Sequence, residues 1–196
     1  MVKPVSNSSS RATAGALLLT PGAGANRDQH TLVAVEQAVA PLPCARVDFP
    51  YRLRGSRVPD KPPVAIAHLR AEAAALAARA GIDPERVVFG GRSYGGRMCS
   101  MAVAEGLPAA GLVLLSYPLH PPGKSERLRV EHFGQIRVPV LMISGRSDPF
   151  GSPDEFDAHI GAIPAKVTQV WLPGGHDPRG ADPVMAETVR QWISQL

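Results

Sequence analysis

Phe89-Gly90-Gly91-Arg92-Ser93-Tyr94-Gly95-Gly96 reads as the end of a strand, a sharp turn with a serine at its tip, and the start of a helix. The pattern is Gly-x-Ser-x-Gly, which holds a serine in a strained turn and lifts its hydroxyl above a sheet. Gly91 and Gly95 are small because side chains there would collide as strand and helix close on each other. The pentapeptide alone is a weak signal, and its surroundings give it weight. Arg86-Val87-Val88-Phe89 is a β-rich run just before it, and Arg97 to Ala104 continues as a helix just after.

Outward from this point, strand-like and helix-like patterns alternate. Strands are predicted at Ala16 to Thr20, Ala45 to Phe49, the run before Gly90, Ala110 to Leu115, Val138 to Ile143 and Val167 to Trp171. Helices are predicted at Asp28 to Val39 (capped by Asn26 or Asp28), Val64 to Ala80, Arg97 to Ala104, Asp154 to Ile160 and from Asp182-Pro183 onward. Residues 50–62 and 117–137 read as loops. The alternation specifies an α/β fold, a mainly parallel sheet of about six strands with helices on both faces. The second loop is too short for a large cap domain. In such sheets chemistry gathers at the C-terminal ends of the strands.

The bulk figures set the class. A chain of 196 residues, 44% apolar and 19% charged, suits one soluble globular domain, placed at residues 14–196 after a disordered lead at 1–13. The start is polar, without the apolar segment of a secretory signal, and no apolar run is long enough to span a bilayer. Cys44 and Cys99 give neither a disulfide framework nor metal spacing, so a reducing cytoplasm is expected. A net charge of +4 with few aromatics and no Lys/Arg block does not support nucleic-acid binding.

A serine needs a base to become a nucleophile, and the base needs an orienting acid. In this architecture the three follow the chain order Ser, Asp or Glu, His. Asp148 lies just past the predicted strand ending at Ile143, and His176 just past the one ending at Trp171. Ser93, Asp148 and His176 are therefore the candidate catalytic residues. Asp154 and Asp157 compete for the acid and His120 for the base, while an ordinary turn is the plain reading of Asp148-Pro149. His30, His68, His132 and His159 read as surface or packing residues, and Asp177 as a turn residue or as a group that supports the neighbouring His176. The backbone N–H groups of Tyr94 and Ala23 are the candidate oxyanion donors, the second from the turn Thr20-Pro21-Gly22-Ala23-Gly24. That turn is not a dinucleotide loop, since Arg27 stands where the last glycine would be.

Several stretches together resemble an α/β-hydrolase of the dienelactone-hydrolase-like kind. They are Pro21-Gly22-Ala23-Gly24-Ala25, Asp48-Phe49-Pro50-Tyr51, Pro59-Asp60-Lys61-Pro62-Pro63, Gly91-Arg92-Ser93-Tyr94-Gly95-Gly96-Arg97 and Gly145-Arg146-Ser147-Asp148-Pro149-Phe150-Gly151. With Ser116-Tyr117-Pro118-Leu119-His120-Pro121-Pro122-Gly123-Lys124 they are most similar to the family of the testis-expressed hydrolase-like protein and a subunit of the non-specific-lethal acetyltransferase complex. Pro21 stands where many relatives carry a histidine, and His176-Asp177 inverts the commoner Asp-His order. The resemblance implies a single-domain α/β-hydrolase fold with a complete triad, no named substrate, and relatives that serve within assemblies.

The expected activity is that of a serine esterase or thioesterase acting on a small-molecule ester or thioester, with no metal and no organic cofactor. The competing class is an interaction module on the same fold with vestigial chemistry, which normally lacks a triad member. A cysteine enzyme is disfavoured because Cys44 and Cys99 lie away from the rim. His120 and the prolines near it read either as lining the substrate entrance or as a rigid surface loop with no substrate role. Basic residues gather in two loops, Arg52, Arg54 and Arg57 in one and Lys124, Arg127 and Arg129 in the other. They read either as solvated loops or as a field that steers an anionic substrate.

Overall fold

The computed structural model describes residues 13–178 and 180–196, so nearly all of the expected N-terminal lead lies outside the described residues. Six strands form one sheet: β1 Ala16–Thr20, β2 Cys44–Arg46, β3 Val87–Arg92, β4 Gly111–Leu115, β5 Val140–Gly145 and β6 Val167–Leu172. Their order across the sheet is β2-β1-β3-β4-β5-β6, and every neighbouring pair is parallel. All the strands therefore end on the same rim.

Side chains alternate between the two faces of the sheet. Leu18, Phe89, Leu112, Leu114 and Met142 pack with helices α3 (Pro62–Ala80) and α4 (Tyr94–Ala104). Leu19, Val88, Val113, Leu115 and Ile143 pack with α1 (His30–Val39) and α6 (Asp182–Ile193). The near-continuous apolar strands are thus apolar because both faces are covered. The described helices also include a short α2, Pro50–Leu53, and α5, Pro153–Ile160.

Several expected boundaries shift, each for a local reason. The strand predicted to run to Phe49 stops at Arg46. Phe49 is buried in an aromatic cluster with Tyr51 and Tyr94 instead, and Pro50 opens α2 inside the predicted loop. α1 begins at His30 without a side-chain cap. Asn26 accepts the N–H of Asp28, and the Asp28 carboxylate pairs with Arg46, so neither candidate cap is free for the helix. Asp182 likewise begins α6 without capping it, because its carboxylate accepts from Thr31 of α1.

Residues 116–139, between β4 and β5, form a packed loop with no cap domain. Tyr117, Leu119 and Phe133 are buried in the core, and the Tyr117 hydroxyl donates to the Arg129 carbonyl at 2.6 Å. Among the described residues no helix is long and apolar enough to cross a membrane.

Candidate active site

The turn between β3 and α4 is built by close packing. A Cβ on Gly91 would meet Thr20 Oγ1 and lie 2.6 Å from backbone atoms of Gly95 and Gly96. A Cβ on Gly95 would lie 2.6 Å from the carbonyl oxygens of Thr20 and Pro21. Only hydrogen fits at either place, so the helix can start directly above the strand end. Ser93 takes φ 50° and ψ −115°, a conformation strained for an L-residue with a side chain. Its N–H is bound to the Leu115 carbonyl at 2.8 Å, so the neighbouring strand stabilises the strained turn.

Three strand ends converge here. Ser93 follows β3, Asp148 follows β5 and His176 follows β6. The His176 Nε2 lies 2.9 Å from Ser93 Oγ, and its Nδ1 lies 2.8 and 3.0 Å from the two Asp148 oxygens. The Asp148 side chain is buried, and its Oδ1 also accepts the N–H of Phe150 at 2.9 Å. A carboxylate accepting from Nδ1–H leaves Nε2 with its lone pair toward the hydroxyl. That arrangement can take a proton from Ser93 Oγ.

The loop bearing His176 fits closely against the one bearing Asp148. Ser147 donates its N–H to the Gly174 carbonyl at 2.9 Å, and a Cβ on Gly145 would strike the carbonyls of Gly174 and Gly175. The ring of Phe150 lies against the imidazole. The inverted His176-Asp177 order therefore does not prevent the imidazole from reaching Ser93.

Tyr94 is the first residue of α4, and among the described residues no acceptor meets its N–H or that of Ala23. The turn carrying Ala23 passes beside the serine, since a Cβ on Gly22 would lie 3.6 Å from Ser93 Cβ. Gln29 Oε1 steadies that turn by accepting the Gly22 N–H at 3.1 Å. The Tyr94 ring is anchored against Phe49 and Tyr51, and its hydroxyl donates to the Asp60 carbonyl at 2.8 Å.

The competing residues are engaged elsewhere. Asp157 accepts from Gln169, and Asp154 lies in the first turn of α5. His120, the candidate entrance residue, donates its backbone N–H to the carbonyl of Phe150 at 3.1 Å. It is buried, with Nδ1 2.9 Å from the Pro121 carbonyl and Nε2 3.2 Å from a Glu155 oxygen, and it ties the 116–139 loop to α5. His132 is half-buried, with Nε2 2.8 Å from Ser100 Oγ, and desolvation followed by the charge of Arg97 pulls its pKa down to about 4. Burial pushes the thiols of Cys44 and Cys99 up to about 12, away from the thiolate form. The basic loops mix signs. Arg54 pairs with Asp60 at 2.7 Å, and a cavity of about 570 Å³ bounded by Arg97, Arg127 and Arg129 also carries Glu126 and Glu131.

Sequence reasoning did not find the partners of Arg92 and Asp177. These two form an ion pair at 2.9 Å beside His176. The signals in sequence were a charged residue within an otherwise buried strand end and an aspartate standing next to His176.

The family described as alpha/beta hydrolase domain matches residues 13–190. The fold is similar to Est1E from Butyrivibrio proteoclasticus, in a structure with ferulic acid bound (TM-score 0.74, 13% identity, covering 94% of this chain and 90% of that one). It is also similar to dienelactone hydrolase from Anabaena variabilis (TM-score 0.72, 18% identity, 93% and 87% covered). A third similar structure is the Bacillus cereus carboxylesterase (TM-score 0.66, 17% identity, 94% and 89% covered). At these identities the likeness speaks for the fold.

Proposed function

Since the chain belongs to the alpha/beta hydrolase domain family, we propose that it is a serine hydrolase that cleaves an ester or thioester of a small to medium acyl group. The observation that carries this reading is the hydrogen-bonded chain from Ser93 through His176 to Asp148. Esterases among the similar folds are consistent with it.

In the proposed reaction Ser93 Oγ attacks the acyl carbonyl carbon while His176 Nε2 takes its proton. The N–H groups of Ala23 and Tyr94 receive the negative charge that forms on the carbonyl oxygen. His176 then gives its proton to the departing alcohol or thiol, leaving the acyl group on Ser93. Water attacks next, its proton passing to the same nitrogen and then to Ser93 as the acid leaves. Asp148 holds the imidazole in the useful tautomer and balances the charge of the imidazolium.

Within the family we place the chain with the dienelactone-hydrolase-like members, near the testis-expressed hydrolase-like protein. The supporting stretch is Tyr117-Pro118-Leu119-His120-Pro121-Pro122-Gly123.

A fluorophosphonate probe tests the reading. Labelling of the wild type and not of Ser93→Ala is expected, together with turnover of p-nitrophenyl esters. Failure of the folded wild type to label would overturn it and favour the interaction module.

A further inference from the structure

Arg92 occupies the position just before Ser93, and its side chain is only 8% exposed. Burying a guanidinium is costly unless partners offset the loss of water. A leucine would fill a strand end at no such cost. The partners Arg92 has are therefore informative, and they belong to the loop that carries the histidine. Nη2 donates to the His176 carbonyl at 2.6 Å and lies 2.9 Å from Asp177 Oδ1.

We propose that Arg92 is a positioning residue, which fixes the imidazole of His176 against Ser93 by holding the carbonyl of His176 and the carboxylate of Asp177. The inference rests on the role given above to Ser93 and His176.

The loop after β6 needs such an anchor. It runs Pro173-Gly174-Gly175-His176-Asp177-Pro178, and Gly174 takes φ 107°, so its backbone has freedom that side chains do not restrain. On one side it is held by the Ser147 N–H to Gly174 bond. Arg92 holds the other side, at the histidine itself.

The geometry is economical because Arg92 and Ser93 are consecutive residues. One piece of β3 backbone sets both the nucleophile and the anchor of its base, so a shift of the strand end moves the two together. The clamp extends further: Asp177 reaches His30 Nε2 at 3.6 Å, and Thr31 donates to Asp182 at 2.8 Å. The histidine loop is thereby tied to the N-terminal ends of α1 and α6.

The variants Arg92→Met, Arg92→Lys and Asp177→Asn test this on the full chain, with wild type and Ser93→Ala assayed in parallel on a p-nitrophenyl ester. A misplacement of reacting groups by an ångström costs about 100-fold in rate. Arg92→Met is accordingly expected to lose about 100-fold in kcat with KM within about threefold. Arg92→Lys, which keeps one cationic donor, should recover about tenfold of that loss, and Asp177→Asn should fall less than Arg92→Met. The downfield proton resonance of the His176 Nδ1–H to Asp148 bond should be sharp in wild type and broadened in Arg92→Met.

Unchanged kcat in folded Arg92→Met would overturn the inference, as would a loss confined to KM. Should Arg92→Met fail to fold, Arg92→Lys decides: about a tenfold fall in kcat at constant KM supports the role, and wild-type kcat refutes it. A wild type that neither turns over nor labels with fluorophosphonate defeats the parent reading and this one with it. Normal wild-type labelling with unaffected Arg92 variants defeats this one alone.

Discussion

The ring of Phe150 lies 4.1 Å, centroid to centroid, from the imidazole of His176, with the two planes tilted by 32°. The backbone of the same residue donates its N–H to Asp148 and accepts the N–H of His120. Phe150 thus orients Asp148 through its main chain and walls the imidazole with its side chain.

An aromatic contact of this kind contributes about 1 kcal/mol. Phe150→Ala keeps the main-chain bonds and loses the wall. It should lower kcat by about tenfold, whereas Phe150→Tyr should stay within about threefold of wild type. Steady-state kinetics on one ester check both.

Asp148→Asn preserves shape and removes the acceptor that sets the imidazole tautomer. A fall in kcat of about a thousandfold to ten-thousandfold is expected, with KM little changed. Single-turnover measurements on a chromogenic ester would detect it. A loss of less than tenfold would return the acid role to Asp154 or Asp157.

The elbow glycines limit stability as well as function. A methyl at position 91 meets Thr20 Oγ1 and the backbone of α4, which cannot yield as a flexible side chain would. Gly91→Ala should cost about 3 kcal/mol or prevent folding. Gly161 provides the contrast: its φ is −60° and nothing lies within 4 Å of an added Cβ. Gly161→Ala should be neutral or stabilise by about 0.5 kcal/mol. Urea unfolding of the two variants separates these outcomes.

His132 makes stability depend on pH. Its folded pKa of about 4 lies below the 6.5 of an unrestrained imidazole, so between these values the unfolded chain binds more protons than the folded one. The contribution is complete above about pH 6.5 and is lost as pH falls toward 4, on the order of 2 kcal/mol after allowance for partial solvent screening. His132→Gln, which can still bond Ser100, should flatten the fall in unfolding free energy between pH 7 and pH 4.5, as measured by urea titration at each pH. Arg97 and Glu131, the charged groups acting on His132, are the same in both proteins.

The residues differ in how far they were legible in the sequence. That Ser93, Asp148 and His176 lie together was legible because each follows an apolar strand, and a parallel sheet delivers its strand ends to one rim. Asn26 and Asp28 misled as caps because their side chains had other partners, and Phe49 misled as a strand residue because burial in an aromatic cluster looks the same in a short run. That His120 is buried was not legible from its place after a strand. Its contacts with Pro121 and Glu155 come from a loop that folds back on the core.

By itself the sequence determined the class of fold, the alternation of its elements and the rim to which Ser93, Asp148 and His176 are delivered. Those follow from periodicity and from the direction of each strand, which are local properties. Only the tertiary structure decided the sheet order β2-β1-β3-β4-β5-β6, the seat of Phe150 against His176 and the grip of Arg92 on a carbonyl 84 residues away. Contacts between remote residues depend on where packing turns each side chain, and no local pattern in the chain encodes that.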